Sequence, residues 1–202
     1  MTLPITLAID TAAPRLQLGL LLADGAVDVS IDEIATGHAE LIFDRIALLL
    51  HRNGVGYPDL GRIATTTGPG SFTGLRIGLS AARGIGLARS IPVVGVPSLL
   101  ALSLAVEGPS TVLLDARRGE AYFQTFSAPA IAASEPLLLP MEVAQERVDP
   151  ATTLLQSPFV EIAMLARYAA AADPTTHPPE ATYVRDADAK PQTANRIARK
   201  PA

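Results

Sequence analysis

The run Gly68-Pro69-Gly70-Ser71-Phe72-Thr73-Gly74-Leu75-Arg76-Ile77-Gly78 constrains the fold more than any other part of this 202-residue chain. It follows a strand-like stretch at residues 63–67. It opens a small-residue helix that the spacing predicts over residues 71–88. A strand, a Gly-Pro-Gly turn and a helix start, in that order, gather bare backbone N–H groups and the positive helix end at one spot. That arrangement favours phosphate. The glycines do not stop at the turn, however. Gly74, Gly78, Ala82 and Gly86 recur every fourth residue and share one slowly drifting face. A bare face lets another backbone come close, so the segment reads as a docking surface first and a ligand loop second.

A glycine inside a helix costs roughly 0.5–1 kcal/mol relative to alanine. Gly74, Gly78, Gly84 and Gly86 together cost on the order of 2–4 kcal/mol by that measure, so close packing or mobility should be gained in return. The stripe packs either on the chain's own sheet or on a partner helix. A second helix, predicted over residues 37–51 with Thr36 as its N-cap and Gly54 closing it, points to the partner. Its residues Ile42, Ile46, Leu49 and Leu50 share a core-facing stripe. Leu41 and Leu48 lie on a different face, with Glu40, Asp44 and His51 as a polar ridge between. The expected partner contacts are His38, Leu41, Phe43, Arg45 and Leu48 on the first helix, and Gly74, Arg76, Gly78, Ala82 and Gly86 on the second. A bulky residue at Gly78 is expected to block partner binding while sparing the fold.

These helices sit in a regular order of elements. Strands at 5–10, 16–23 and 27–32 form a meander, its second hairpin signalled by Asp24-Gly25. Strand 63–67, helix 71–88, strand 93–96 and helix 98–106 complete a βββαβα unit. Strands at 111–115 and 121–126 start a second, thinner unit, followed by a short helix at 141–147 and a longer one at 159–172. The predicted organisation is an N-terminal lobe over residues 1–108, a reduced C-terminal lobe over 109–187 and a disordered tail over 188–202. A strand is expected near Tyr183-Val184-Arg185.

Composition narrows the function classes. Apolar residues make up 49% of the chain, enough for a sizeable core. A net charge of −4 gives no support to direct nucleic-acid binding by this chain alone. There is no cysteine, which excludes disulfides, thiolate metal sites and a cysteine nucleophile. The first residues lack a secretory pattern, and no stretch approaches the roughly 20 apolar residues of a membrane span. The expectation is a cytoplasmic protein with no membrane role.

Familiar catalytic motifs fail one by one. A Walker A loop needs a Lys after its last glycine, and the run from Gly68 to Gly74 offers none. The third glycine comes one residue late for a dinucleotide fingerprint. His38, His51 and His177 form no metal-binding pair, so no protein-ligated metal is expected. Asp10-Thr11 at the first strand's end is either a Mg²⁺ or phosphate contact or an Asx turn. Asp115, in Asp115-Ala116-Arg117-Arg118-Gly119-Glu120, either mirrors Asp10 or belongs to a charged hairpin turn. The candidate nucleotide or phosphate contacts are Asp10, Thr11, Gly68, Gly70, Ser71 and Asp115. No residue is expected to be catalytic.

The same residues resemble the bacterial TsaB (YeaZ) family, small members of the actin/Hsp70-like kinase superfamily. The matching pieces are Leu7-Ala8-Ile9-Asp10-Thr11, His38 with its apolar helix, the glycine-rich run, Pro92-Val93-Val94-Gly95-Val96-Pro97-Ser98-Leu99, Asp115-Ala116-Arg117 with Gly119, Glu120 and Tyr122, and Pro179 to Asp186. The resemblance is strong over residues 1–126 and patchy beyond. It implies a two-lobe α/β fold of the actin/Hsp70-like, ribonuclease H-like kind, with a complete N-terminal lobe. It also implies a non-catalytic subunit of the complex that transfers threonylcarbamoyl to the adenosine next to the anticodon of tRNAs reading ANN codons. The implied partners are a catalytic TsaD-like paralogue and a TsaE-like ATPase, with a homodimer when alone and tRNA reached through the complex. Docking is implied at the helices over 37–51 and 71–88. Residues 148–158 lack the second glycine-rich turn of a fuller C-terminal lobe, so ATP or ADP is expected at most at the complex interface. The competing reading is an independent ATP-binding phosphotransferase or ATPase resting on the Gly-Pro-Gly turn, Asp10 and Asp115. A peptidase would need a nucleophile–base or metal pair that the sequence lacks.

Overall fold

The computed structural model describes residues 3–182 and Val184. Two five-stranded sheets with helices between and around them make up the described residues. The first sheet has the order β3-β2-β1-β4-β5, formed by β1 (Thr6–Asp10), β2 (Leu16–Leu21), β3 (Val27–Asp32), β4 (Arg62–Thr66) and β5 (Val93–Val96). β1, β2 and β3 are antiparallel neighbours, while β4 runs parallel to β1 and β5 parallel to β4.

Side-chain alternation sends each strand's residues to two different cores. Leu7, Ile9, Leu16, Leu18, Leu20 and Ile63 face α1 (His38–Arg52) and α2 (Phe72–Arg89). Ala8, Leu21, Ala64, Val94 and Val96 face the other way, onto α3 (Ser98–Ser103), the second sheet and α5 (Ile162–Ala171). Small residues on that side let α5 lie close. A Cβ at Gly19 would stand 3.0 Å from the Ile162 carbonyl. Arg62 fastens the end of this helix by donating to the carbonyls of Ala169 and Ala172, both at 2.6 Å.

The second sheet has the order β10-β6-β7-β8, with β9 also on β7. Its strands are β6 (Ser110–Arg117), β7 (Glu120–Ala128), β8 (Ile131–Ala132), β9 (Leu137–Pro140) and β10 (Thr153–Leu155). Val112 and Leu114 point into the core shared with the first sheet. Leu113, Ala121 and Phe123 point to a small third core under α4 (Met141–Glu146).

The βββαβα order and the two-sheet α/β class are as read from the sequence. Several details differ. The helix expected over 98–106 ends at Ser103, whose hydroxyl bonds back to the Leu100 carbonyl at 2.7 Å. Gly37, with φ 86°, rather than Thr36, stands at the N-cap of α1. The short strands β8, β9 and β10 were not expected. The boundary at residue 108 assigns α5 to the second lobe, yet this helix packs across the first sheet. Tyr183, Arg185 and the tail over 188–202 lie outside the described residues.

Candidate functional site

Two places on the molecule bear the residues singled out by the sequence: a cleft between the sheets, and the outer face of α1 and α2. The cleft is a cavity of about 460 Å³ whose lining includes Gly70, Ser71, Ser98, Asp115, Arg117 and Tyr122. Of the expected phosphate contacts, it brings together Gly70, Ser71 and Asp115. Asp10, Thr11 and Gly68 are buried elsewhere.

Asp10 is fully buried at the end of β1. Its carboxylate accepts from the Thr66 hydroxyl at 2.5 Å, the Ala12 N–H at 3.2 Å and the Gln17 amide at 3.3 Å. The Ala12 bond makes an Asx turn. Gln17 also donates to the Val160 carbonyl at 3.3 Å, so the network ties β1, β2 and β4 to the approach of α5. Burial pushes the Asp10 carboxyl above its ordinary 3.8, against the lowering pull of the three hydrogen bonds and of His38. A carboxylate with these partners and no exposed surface does not reach a ligand. The expected role of Asp10 in phosphate or metal contact is therefore corrected to a structural one. Asp115 is exposed at the cleft wall, where it accepts from the Arg117 N–H at 2.7 Å. The two aspartates do not share a site.

The Gly-Pro-Gly turn also has an internal role. The Ser71 N–H donates to the Ala12 carbonyl at 2.7 Å, and the Gly74 N–H to the Ser71 hydroxyl at 3.2 Å as an N-cap bond. A Cβ at Gly70 would stand 2.8 Å from the Ala12 carbonyl oxygen. Two N–H groups of a phosphate cradle are thus already occupied by the chain itself. Among the described residues, no group of three or more His, Asp or Glu side chains is placed to hold a metal ion.

The outer face of α1 and α2 is differently built from the expectation. Gly74, Gly78, Ala82 and Gly86 are buried against the chain's own sheet. A Cβ at Gly74 would overlap the Thr11 carbonyl, and one at Gly86 would overlap the Val93 side chain. At Gly78 it would stand 2.5 Å from the Thr11 hydroxyl. This stripe exists so that α2 can lie tight on β1, β4 and β5. The four residues are not partner contacts, and a bulky side chain at Gly78 breaks the fold rather than an interface. His38 is likewise corrected: it is buried, and its Nε2 has no hydrogen-bond partner. Leu41 is half-buried in the core beneath α1. Arg45 is held by Asp32, with its Nε 2.9 Å from both carboxylate oxygens.

What does face outward is a shallow apolar groove of about 450 Å³, lined by Ala39, Phe43, Phe72, Arg76, Ile77 and Ser80 among others. Phe43 is 53% exposed, Phe72 56% and Leu48 58%. The Arg76 guanidinium lies 3.7 Å over the Phe72 ring. Further along α2, Gly84 faces open space: a Cβ added there would have no atom within 4 Å.

A model of the family TsaD, tRNA N6-adenosine threonylcarbamoyltransferase, matches residues 32–188. This chain belongs to that family. The tRNA threonylcarbamoyladenosine biosynthesis protein TsaB of Escherichia coli is 34% identical over 125 residues, covering 59% of this chain and 54% of that protein. An uncharacterized protein of Mycobacterium leprae is 32% identical over 213 residues, covering 95% of this chain and 57% of its own length. The chain spans about half the length of the curated relatives it matches. A crystal structure from Pseudomonas aeruginosa, of an uncharacterized protein with similarity to peptidase YeaZ, superposes with a TM-score of 0.75. Its identity is 22%, and the match covers 90% of this chain and 100% of that one. The resemblance to the TsaB (YeaZ) proteins and the actin/Hsp70-like fold class are both borne out.

In this TsaD-family chain the outward row of α2 is Arg76 followed by the small residues Ser80, Gly84 and Ala88, all exposed. It is offset by two residues from the ladder that the sequence suggested. Two residues turn a helix by about 200°, so the two ladders lie on opposite faces. The four-residue spacing was legible for both; only the position of the sheet distinguishes them. Phe72 was missed because it sits at the helix start, where the turn drew attention to phosphate.

Proposed function

We propose that this chain is a non-catalytic subunit of a tRNA threonylcarbamoyladenosine complex, docking a catalytic TsaD-family paralogue through the outer face of α1 and α2. The observation that carries this reading is the exposed groove between those helices, with Phe43 and Phe72 open to solvent. Apolar surface of that kind, rimmed by charge, marks a protein contact. The rims are complementary: exposed Glu40 and Asp44 lie on α1, and exposed Arg76 and Arg83 on α2. Two copies of such a helix pair, related by a two-fold axis, set acidic rim against basic rim. A paralogue of the same fold offers the same geometry, and so does a second copy of this chain when the paralogue is absent.

The sequestered Asp10 supports a supporting rather than catalytic role, because it withholds the β1-end carboxylate from the cleft and leaves Asp115 there without an acidic partner from the first sheet. ATP or ADP then binds only once the partner is docked, and the cleft residues Gly70, Ser71 and Asp115, next to the start of α2, are this chain's contribution. A TsaE-like ATPase and tRNA join through the paralogue, in the cytoplasm. No helix among the described residues is long and apolar enough to cross a membrane.

Size-exclusion co-elution with the TsaD-family catalytic subunit of the same genome tests the docking. Phe43→Glu should remove the joint peak while circular dichroism of the variant stays unchanged. Undiminished co-elution of the folded variant counts against the proposed face.

A further inference from the structure

Residues 177–182, after α5, run over the free edge of β5 and end at the Gly-Pro-Gly turn. The Gly95 N–H donates to the His177 carbonyl at 2.9 Å, and the Thr182 N–H to the Thr67 carbonyl at 2.8 Å. Both glycines beneath this strap are needed for it to lie down. A Cβ at Gly95 would overlap the Pro178 carbonyl, and one at Gly68 would stand 2.9 Å from the Thr182 carbonyl. The strap has its own anchor on α5: the Tyr168 hydroxyl meets His177 Nε2 at 2.8 Å, with the two rings edge to face. The other ring nitrogen of His177 lies 3.0 Å from the Asp173 carbonyl.

The turn that the strap touches has two further ties. The Ser98 N–H donates to the Gly68 carbonyl and the Ser71 N–H to the Ala12 carbonyl, both at 2.7 Å. The next residue is Phe72, the first of α2 and a wall of the outer groove. We infer that the strap over 177–182 is a clamp that sets the Gly68–Ser71 turn and, through it, the start of α2 with its groove-lining Phe72. The link to partner docking rests on the proposed function; the clamp itself does not. The chain thereby couples α5 to the first lobe's outer face through the Tyr168–His177 side-chain bond and the backbone bonds of the strap. Sealing the β5 edge is a second consequence, since an open edge strand invites pairing with other chains.

Hydrogen exchange of the full chain, followed by NMR, tests the clamp without any partner. Tyr168→Phe removes the anchor hydroxyl and leaves the core ring in place. One lost hydrogen bond is expected to speed exchange at the Gly95 and Thr182 amides by up to about tenfold. If the strap is a clamp, exchange at Ser71 and Ser98 rises with it. Gly95→Ala, which lifts the strap from beneath, should give a larger effect in the same four amides. Unchanged exchange at Gly95 and Thr182 in both variants overturns the inference. So does faster exchange there with Ser71 and Ser98 unmoved. Titration of Tyr168→Phe with the TsaD-family subunit then separates the two ideas. A loosened turn with unchanged affinity overturns the link between clamp and docking and leaves the clamp itself standing.

Discussion

Replacing single glycines on α2 by alanine should move stability in opposite directions on its two faces. Gly84 has nothing within 4 Å of its Cβ position, so Gly84→Ala gains only the helix preference of alanine, about 0.5–1 kcal/mol. Gly74→Ala meets the Thr11 backbone carbonyl, which cannot turn aside as a side chain would. The Thr11 hydroxyl also donates to the Gly74 carbonyl at 2.7 Å, a buried bond that any displacement of α2 stretches. Overpacking of this sort costs about 1–3 kcal/mol, and the lost bond about 0.5–1.5 kcal/mol more. Subtracting the alanine gain leaves Gly74→Ala destabilised by about 0.5–4 kcal/mol. Urea denaturation monitored by circular dichroism reads both. A chain of this size shifts its melting temperature by about 2–4 °C per kcal/mol, so a thermal melt should separate the variants clearly. Destabilisation by Gly84→Ala, or tolerance of Gly74→Ala, would refute the assignment of the two faces.

Two further outcomes follow from buried polar groups. The Asp10 carboxyl is raised above 3.8 in the folded chain, so its contribution favours folding at low pH and is lost as pH climbs through the folded value. Stability of the wild type should therefore fall relative to Asp10→Asn as pH rises above that ordinary value; parallel stability–pH curves for the two would contradict it. Arg62→Met removes both bonds to the end of α5 and should destabilise by about 1.5–3 kcal/mol in urea titration. A change within error would show that this end of the helix holds without them.

How much was legible in the sequence differs from element to element. The meander, the strand–turn–helix and the helix at 159–172 were readable because each carries a long periodic or turn signal. β10 was not, because its three residues, Thr153–Leu155, are placed by pairing with β6 and have no pattern of their own. In the candidate site, the presence of a bare ladder on α2 was correct and its direction was not. Gly74, Gly78 and Gly86 carry a helix penalty because a sheet presses on them, and Gly84 carries the same penalty facing solvent. Residue type is identical in the two cases; burial alone tells them apart. Asp10 shows the same ambiguity. An aspartate at a strand end suits a ligand or an Asx turn equally well, and only its burial beside Thr66 and Gln17 decides for the turn.

The docking face is the centre of this account, and a hydrogen–deuterium exchange footprint on the unmodified complex with the TsaD-family subunit probes it most directly. Slower exchange should map to peptides covering Phe43 to Leu48 and Phe72 to Gly84, with α5 and β3 unaltered. Protection confined to α5, β3 or the second sheet, and none on α1 or α2, would contradict it.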